Sequence, residues 1–255
     1  LIYNIIKKTD GLRIYFFGNQ NQTLPVEKFD ENGESNGVIY DYLNSCAWIE
    51  MIQNVVQLKY IKGTSRYDQI LYKELKLLLK NKSPTLQLLK KTKVNRYIAK
   101  TNKTVDEMNT QMMKKGTDIF KLKKNKQGTK CELTEMRLSE GFPLTPYRNT
   151  SQFYNNEEYT YINRETTDEG EMVNLRDGEG QIKHFFMKVF INSFMPSFAM
   201  TCDRCQSMTI KEPFAVLEVN KMTKNDMYTA ISRSNTYENV YIDKPIMRIN
   251  PYTFN

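Results

Sequence analysis

A chain of 255 residues with a formal charge of +8, from 37 basic against 29 acidic side chains, is long enough for one to three domains. Its moderate basic excess favours a polyanionic partner through counterion release. Four cysteines are too few and too scattered for a disulfide framework, no apolar run approaches the ~20 residues of a membrane-spanning helix, and the amino terminus lacks the plan of a signal peptide. A soluble, intracellular protein in a reducing compartment, with no membrane partner, is expected.

Leu12–Phe17 is a compact β-rich run ended by Gly18, and it reads as a buried strand of an α/β sheet with a polar loop at its carboxyl end. Residues 28–37 form a polar loop, Val38–Asn44 a short helix, and Ile49–Lys59 the crossover into a second domain. From Arg66 to Lys82, Ile70, Leu71, Leu75, Leu78 and Leu79 recur near helical spacing with lysine and glutamate opposite, which predicts an amphipathic helix broken by Pro84. Thr85–Lys91 reads as a further helical turn or two. Val94–Ala99 is a strand, followed by a polar turn and a helix over Val105–Met113 capped near Asn102 or Thr104.

The character changes between Gly116 and Pro196, where glycines and prolines punctuate short runs at Glu158–Ile162, Met172–Leu175 and Ile182–Val189. Such spacing predicts a small β-barrel or meander. Tyr147, Phe153, Tyr154, Tyr159 and Tyr161 lie here; exposed rings could stack on bases, while buried ones pack. The run from Lys121 to Lys130 reads as a solvated basic loop. Beyond Phe198 the α/β character returns, with Phe214–Val219 and Asn239–Ile242 as buried strands. Cys202 and Cys205 form a C-x-x-C, but no second pair follows and His184 is the only histidine, so no metal site is expected.

The segment Asn225–Asp243, NDMYTAISRSNTYENVYID, places Arg233 between a helix-like and a strand-like run, a setting suited to an arginine finger. Three other segments precede it in order: Gly18–Val26 (GNQNQTLPV), Tyr97–Lys103 (YIAKTNK) with Asn109, and Phe198–Ile210 (FAMTCDRCQSMTI). Together the four resemble the motifs of superfamily 1 helicases, nearest the RecD, Dda and Pif groups. The fold this implies is α/β: residues 1–57 as the end of a first RecA-like domain, 58–118 and 191–255 as a second, and 119–190 as an inserted SH3-like β-barrel.

The resemblance also implies roles. Arg233 would stabilise the transferring phosphoryl group, Gln22 would couple nucleotide state to domain closure, and Gly18 would lie at the nucleotide. Arg66 and Lys100 compete for a second phosphate contact, and Arg66 equally reads as the start of the helix that follows. Thr101, Asn102, Thr201, Arg204, Gln206 and Thr209 would contact single-stranded DNA, with movement 5′ to 3′. No G-x-x-x-x-G-K-[ST] phosphate loop and no paired magnesium-binding acids occur, and the first residue is leucine. The expectation is therefore the carboxy-terminal part of a longer or split helicase, with ATP and Mg2+ bound mainly by an upstream RecA-like domain in cis or on a separate chain.

Asn19 stands where the family has aspartate, Asp203 where it has histidine, and Ser207 where it has glycine. Those departures keep open an alternative, a non-catalytic nucleic-acid-binding or regulatory remnant. Abundant lysine, asparagine, isoleucine and tyrosine fit an AT-rich genome, such as that of a large DNA virus.

Overall fold

The computed structural model describes residues 66–90, 93–122, 135–155, 157–206 and 208–249. The expectations for the Leu12–Phe17 strand, Gly18, Asn19, Gln22, most of the lysine run and Ser207 lie outside the described residues.

Helix α1 (Gln69–Leu79) starts where Asp68 turns extended and its carboxylate accepts the Leu71 amide at 2.7 Å. Leu71, Leu75 and Leu78 form its buried stripe, whereas Ile70, read at the same spacing, is exposed. Buried Glu74 faces inward and accepts the Thr85 amide at 2.6 Å. Asn81, at φ 57°, ends the run in the left-handed region that asparagine tolerates. The predicted helical turn over Thr85–Lys91 is a strand instead. β1 (Gln87–Leu88) adds to a sheet edge, with Leu86 in the core and the Leu89 amide donating to the Ile242 carbonyl.

β2 (Arg96–Ala99) leads into α2 (Asn102–Met113), whose cap is Thr101 rather than Asn102 or Thr104. After a β-rich insertion, β10 (Ala199–Thr201), β11 (Phe214–Val216), α4 (Lys224–Ile231) and β12 (Val240–Ile242) complete the unit. The strands pair in the order β1-β12-β11-β2-β10, every neighbour parallel. Ile98, Met200, Phe214, Val216, Val240 and Ile242 pack with α1 and α4, and Ala99 and Ala199 meet Val105 of α2. A sheet covered on both faces needs apolar residues at successive positions, which is why these strands read as continuous apolar runs. Each such fully buried aliphatic or aromatic side chain contributes about 1.5–3 kcal/mol. α4 opens with a capping box in which Thr223 and Asp226 satisfy each other's backbone amides, and every residue from Asn225 to Ile231 is buried.

The insertion begins with the antiparallel ribbon β3 (Asp118–Lys121) and β4 (Glu135–Leu138). It continues through β5 (Pro143–Pro146), β6 (Tyr159–Thr167), β7 (Gly170–Asp177), β8 (Ile182–Phe186), the short helix α3 (Met187–Ile191) and β9 (Phe194–Pro196). The predicted Ile182–Val189 strand is thus split into a strand and a helix. Among the described residues these strands form an antiparallel sheet in the order β8-β7-β6-β5-β9, with β8 and β9 at its edges, beside the ribbon. One aromatic core serves both: Phe120 meets Tyr161 edge-on at 5.8 Å, and Phe194 lies 5.0 Å from Phe153 and 5.1 Å from Phe185. The Tyr161 hydroxyl donates to the Asp118 carboxylate, joining β6 to the ribbon. At the ribbon's entry Gly116 is required by space, since a β-carbon there would lie 2.3 Å from the Arg137 carbonyl carbon.

Two arginines hold the insertion to the parallel sheet. Arg96, at the start of β2, pairs with Glu158 at 2.7 Å and Glu212 at 2.9 Å and donates to the Ser197 carbonyl. Arg204, just after β10, donates to the Pro146 carbonyl at 3.2 Å and reaches the Met195 sulfur.

Candidate functional site

Because the strands are parallel, β2, β10, β11 and β12 bring Lys100, Thr201, Glu218 and Asp243 to one edge, the carboxyl edge where α/β sheets bind ligands. Lys100 pairs there with Asp226, in the first turn of α4, at 2.7 Å. Burial pulls its pKa down, but the bonded carboxylate outweighs this and leaves it raised, so the ammonium stays charged. Thr101 caps α2 and donates its amide to Glu218 at 2.9 Å, while Asn102 is exposed on the first turn of that helix.

The predicted strand-contact segment leaves β10 as a tight series of turns. Thr201 accepts the Arg204 amide at 3.4 Å, Asp203 and Thr209 are exposed, and Gln206 is half-buried. Arg204, predicted for nucleic acid, reaches into the insertion as described above. Both cysteine thiols are buried, Cys202 against the Ala99 carbonyl and Cys205 against the Cys202 carbonyl. Burial pushes the Cys205 thiol up to about 12 and raises Cys202 as well, so neither is a nucleophile at neutral pH.

Arg233 follows Ser232, the C-cap of α4. It is 3% exposed, and its guanidinium is spent on the chain itself. Nε donates to the Thr229 carbonyl at 2.7 Å, one Nη to the carbonyls of Cys205 and Met208 at 3.3 Å each, and the other Nη to the Ser232 hydroxyl at 3.0 Å. Burial lowers its pKa, and Arg66 lowers it further. Arg66 donates to the Ser232 carbonyl at 3.3 Å and lies over the Tyr67 ring. The two arginines therefore share the end of α4, whereas Lys100 lies at its start, roughly 10 Å away at 1.5 Å per helical residue. Of the two candidates for a second phosphate contact, Arg66 is the one beside Arg233.

Of the aromatic candidates, Phe153, Tyr159 and Tyr161 are core, Tyr147 is half-buried with its hydroxyl on the Asn192 carbonyl, and Tyr154 is 62% exposed. Sequence reading missed Glu218, Asp226 and Asp243, which organise the carboxyl edge. The T-x-x-D spacing of Thr223 and Asp226 could have marked Asp226 as a capping acid. The bonds of Glu218 to Thr101 and of Asp243 to the Glu218 amide join different strands, and no spacing rule marks them.

No family model matches this sequence, and no curated protein matches it. Solved structures do match. The Pif1 helicase from Candida albicans superposes with a TM-score of 0.60 at 14% identity, over 82% of this chain and 61% of that one. The Pif1 helicase from Bacteroides in complex with ADP-AlF3 and ssDNA gives 0.57 at 15% identity, over 77% and 54%. A double mutant of the Bacteroides helicase gives 0.53 at 18% identity, over 92% and 63%. The chain spans about half the length of the solved helicases it matches. At these identities the likeness is one of fold: the parallel sheet with its β-rich insertion matches the fold of part of these Pif1 helicases.

Proposed function

We propose that this chain is the carboxy-terminal part of an ATP-dependent helicase that moves 5′ to 3′ on single-stranded DNA and separates duplex. Residues 58–118 and 191–255 make a second RecA-like domain, 119–190 an SH3-like insertion, and 1–57 the end of a first domain whose missing part supplies the phosphate loop and magnesium acids, in cis or as another chain. ATP lies between the two domains. Arg233 and Arg66 act on its phosphates, Gly18 lies at the nucleotide, Gln22 couples its state to domain closure, and Thr101, Asn102, Thr201, Arg204, Gln206 and Thr209 line the strand's path.

The observation that carries this reading is the bonding of Arg233 to the carbonyls of Cys205 and Met208. It joins two segments far apart in sequence, one read as the phosphate contact and the other as the strand contact. A helicase needs such a joint, since nucleotide state must be felt at the strand. A second reading, the non-catalytic remnant, draws support from the same geometry: Arg233 and Lys100 are both engaged within the chain, and exposed Asp203 repels phosphate.

ATP turnover separates the two. The isolated chain is expected to hydrolyse no ATP but to gain DNA-stimulated hydrolysis when joined to a first domain carrying a phosphate loop, because the site draws on both sides of the cleft. Turnover by the chain alone, or none after joining, would reject the motor. For either reading single-strand affinity should fall with salt, about 20-fold for a fourfold rise if three phosphates are neutralised. A flat titration would reject the electrostatic track.

A further inference from the structure

Glu218 is one of the carboxylates at the carboxyl edge that the helicase reading leaves without a role. It stands two residues beyond β11 at φ 60°, ψ 32°, a left-handed conformation that asparagine tolerates but that is uncommon for glutamate and carries a steric cost. Its side chain is 11% exposed and fully engaged. One carboxylate oxygen accepts the Thr101 amide at 2.9 Å and the Thr101 hydroxyl at 3.0 Å, and the other accepts the Lys221 ammonium at 2.7 Å. The backbone is held as well: the Glu218 amide donates to one Asp243 oxygen at 2.8 Å and the Val219 amide to the other at 3.4 Å. Two carboxylates thus tie together the ends of β2, β11 and β12.

This arrangement limits what Thr101 can do. Its amide and hydroxyl proton both point at Glu218, and its oxygen accepts the Thr104 amide as the cap of α2. A threonine with both donors spent on a carboxylate has none for a phosphate oxygen. The next residue, Asn102, is exposed on the first turn of α2. We infer that Glu218 is a positioning residue, which fixes Thr101 and the first turn of α2 so that Asn102 meets the nucleic-acid strand. This rests on the reading that the turn at Thr101 and Asn102 faces that strand.

The sign of the effect separates positioning from plain electrostatics. Removing a negative charge near a polyanion should tighten binding if charge alone matters. Positioning predicts the reverse, because the turn loses the acceptor that orders it.

The test measures binding of an oligodeoxythymidine to the full chain by fluorescence anisotropy, for Glu218→Gln, Asn102→Ala and the double variant, with thermal melting alongside. Glu218→Gln and Asn102→Ala are each expected to weaken binding about tenfold, with the double variant no weaker than either single one, as for residues acting through one contact. Asn102 is exposed, so its variant reports even if Glu218→Gln melts early. Unchanged or tighter binding by folded Glu218→Gln, or losses that add in the double variant, would overturn the inference. If the parent chain fails to bind the oligonucleotide, the strand-facing reading falls and takes this role with it.

Discussion

Arg233→Ala is expected to cut ATP turnover about 10³-fold or more once the chain is joined to a domain carrying a phosphate loop, while ATP binding stays nearly unchanged. The same substitution should lower the unfolding free energy of the isolated chain by about 3 kcal/mol, because it deletes a buried group and strands its acceptors. The carbonyls of Cys205 and Met208 lose the donor that joins them to α4, and the Thr229 carbonyl, near the helix end, loses the Nε bond. Arg233→Lys should rescue little of either property, since an ammonium presents three donors from one point where a planar fork reaches four acceptors. Denaturant unfolding gives the stability, and turnover compared at equal folded fraction gives the chemistry. A folded variant within a few-fold of the parent's turnover would leave Arg233 a structural tie only and make the remnant reading the better one.

Asn109→Ala should also cost about 3 kcal/mol, without touching any residue of the proposed phosphate contact. Among the described residues β10 is the last strand of the parallel sheet, with no neighbouring strand on one side. Asn109, projecting from α2, supplies the missing pair: its amide nitrogen donates to the Ala199 carbonyl at 3.1 Å and its oxygen accepts the Ala199 amide at 2.8 Å. A side-chain amide thereby stands in for one residue of a further strand. Alanine leaves a buried donor and a buried acceptor without partners, and opens a sheet edge to other chains. A urea transition with its midpoint lowered and its slope unchanged is the expected result. A shift worth less than about 1 kcal/mol would mean that water or a rearranged strand end replaces the amide.

Elements with long periodic or continuous apolar runs were legible in the sequence: α1, β2, α2, β11, α4 and β12 each lie at a stretch that pattern marks, although β2 and β11 are shorter than read and α2 is capped by Thr101. β1 was not, because Leu86–Leu89 is as compatible with a helical turn as with a strand, and only the waiting edge of β12 decides. In the insertion, turn signals marked strands, but they could not say that Met187 begins a helix whose Phe190 completes the aromatic core. The candidate site shows the same division. Segments could be named from local pattern, yet which end of α4 Arg66 and Lys100 each meet could not. Nothing local announces that Pro146 and Met195 come within reach of Arg204. Glu218 was invisible, since a positive φ at glutamate is imposed by partners elsewhere in the chain.

The splice of the insertion into the sheet has a consequence for how the chain reaches this structure. Ala99 and Thr201 are register partners in adjacent strands, and the whole β-rich insertion lies between them. Closing a disordered loop of about 100 residues costs about 4 kcal/mol, and an insertion already folded shortens the loop to a few tens of residues and lowers that cost by about 1 kcal/mol. Folding should therefore run from the insertion outward, with amides of Tyr161 and Val173 gaining exchange protection before those of Met200 and Ala215 in pulse-labelling. Simultaneous protection, or the sheet first, would exclude that order. With the insertion first, β10 docks on β2 after the chain between them has taken shape, so synthesis and refolding both leave the β2–β10 pairing, and the edge that Asn109 closes, among the last parts of the molecule to form.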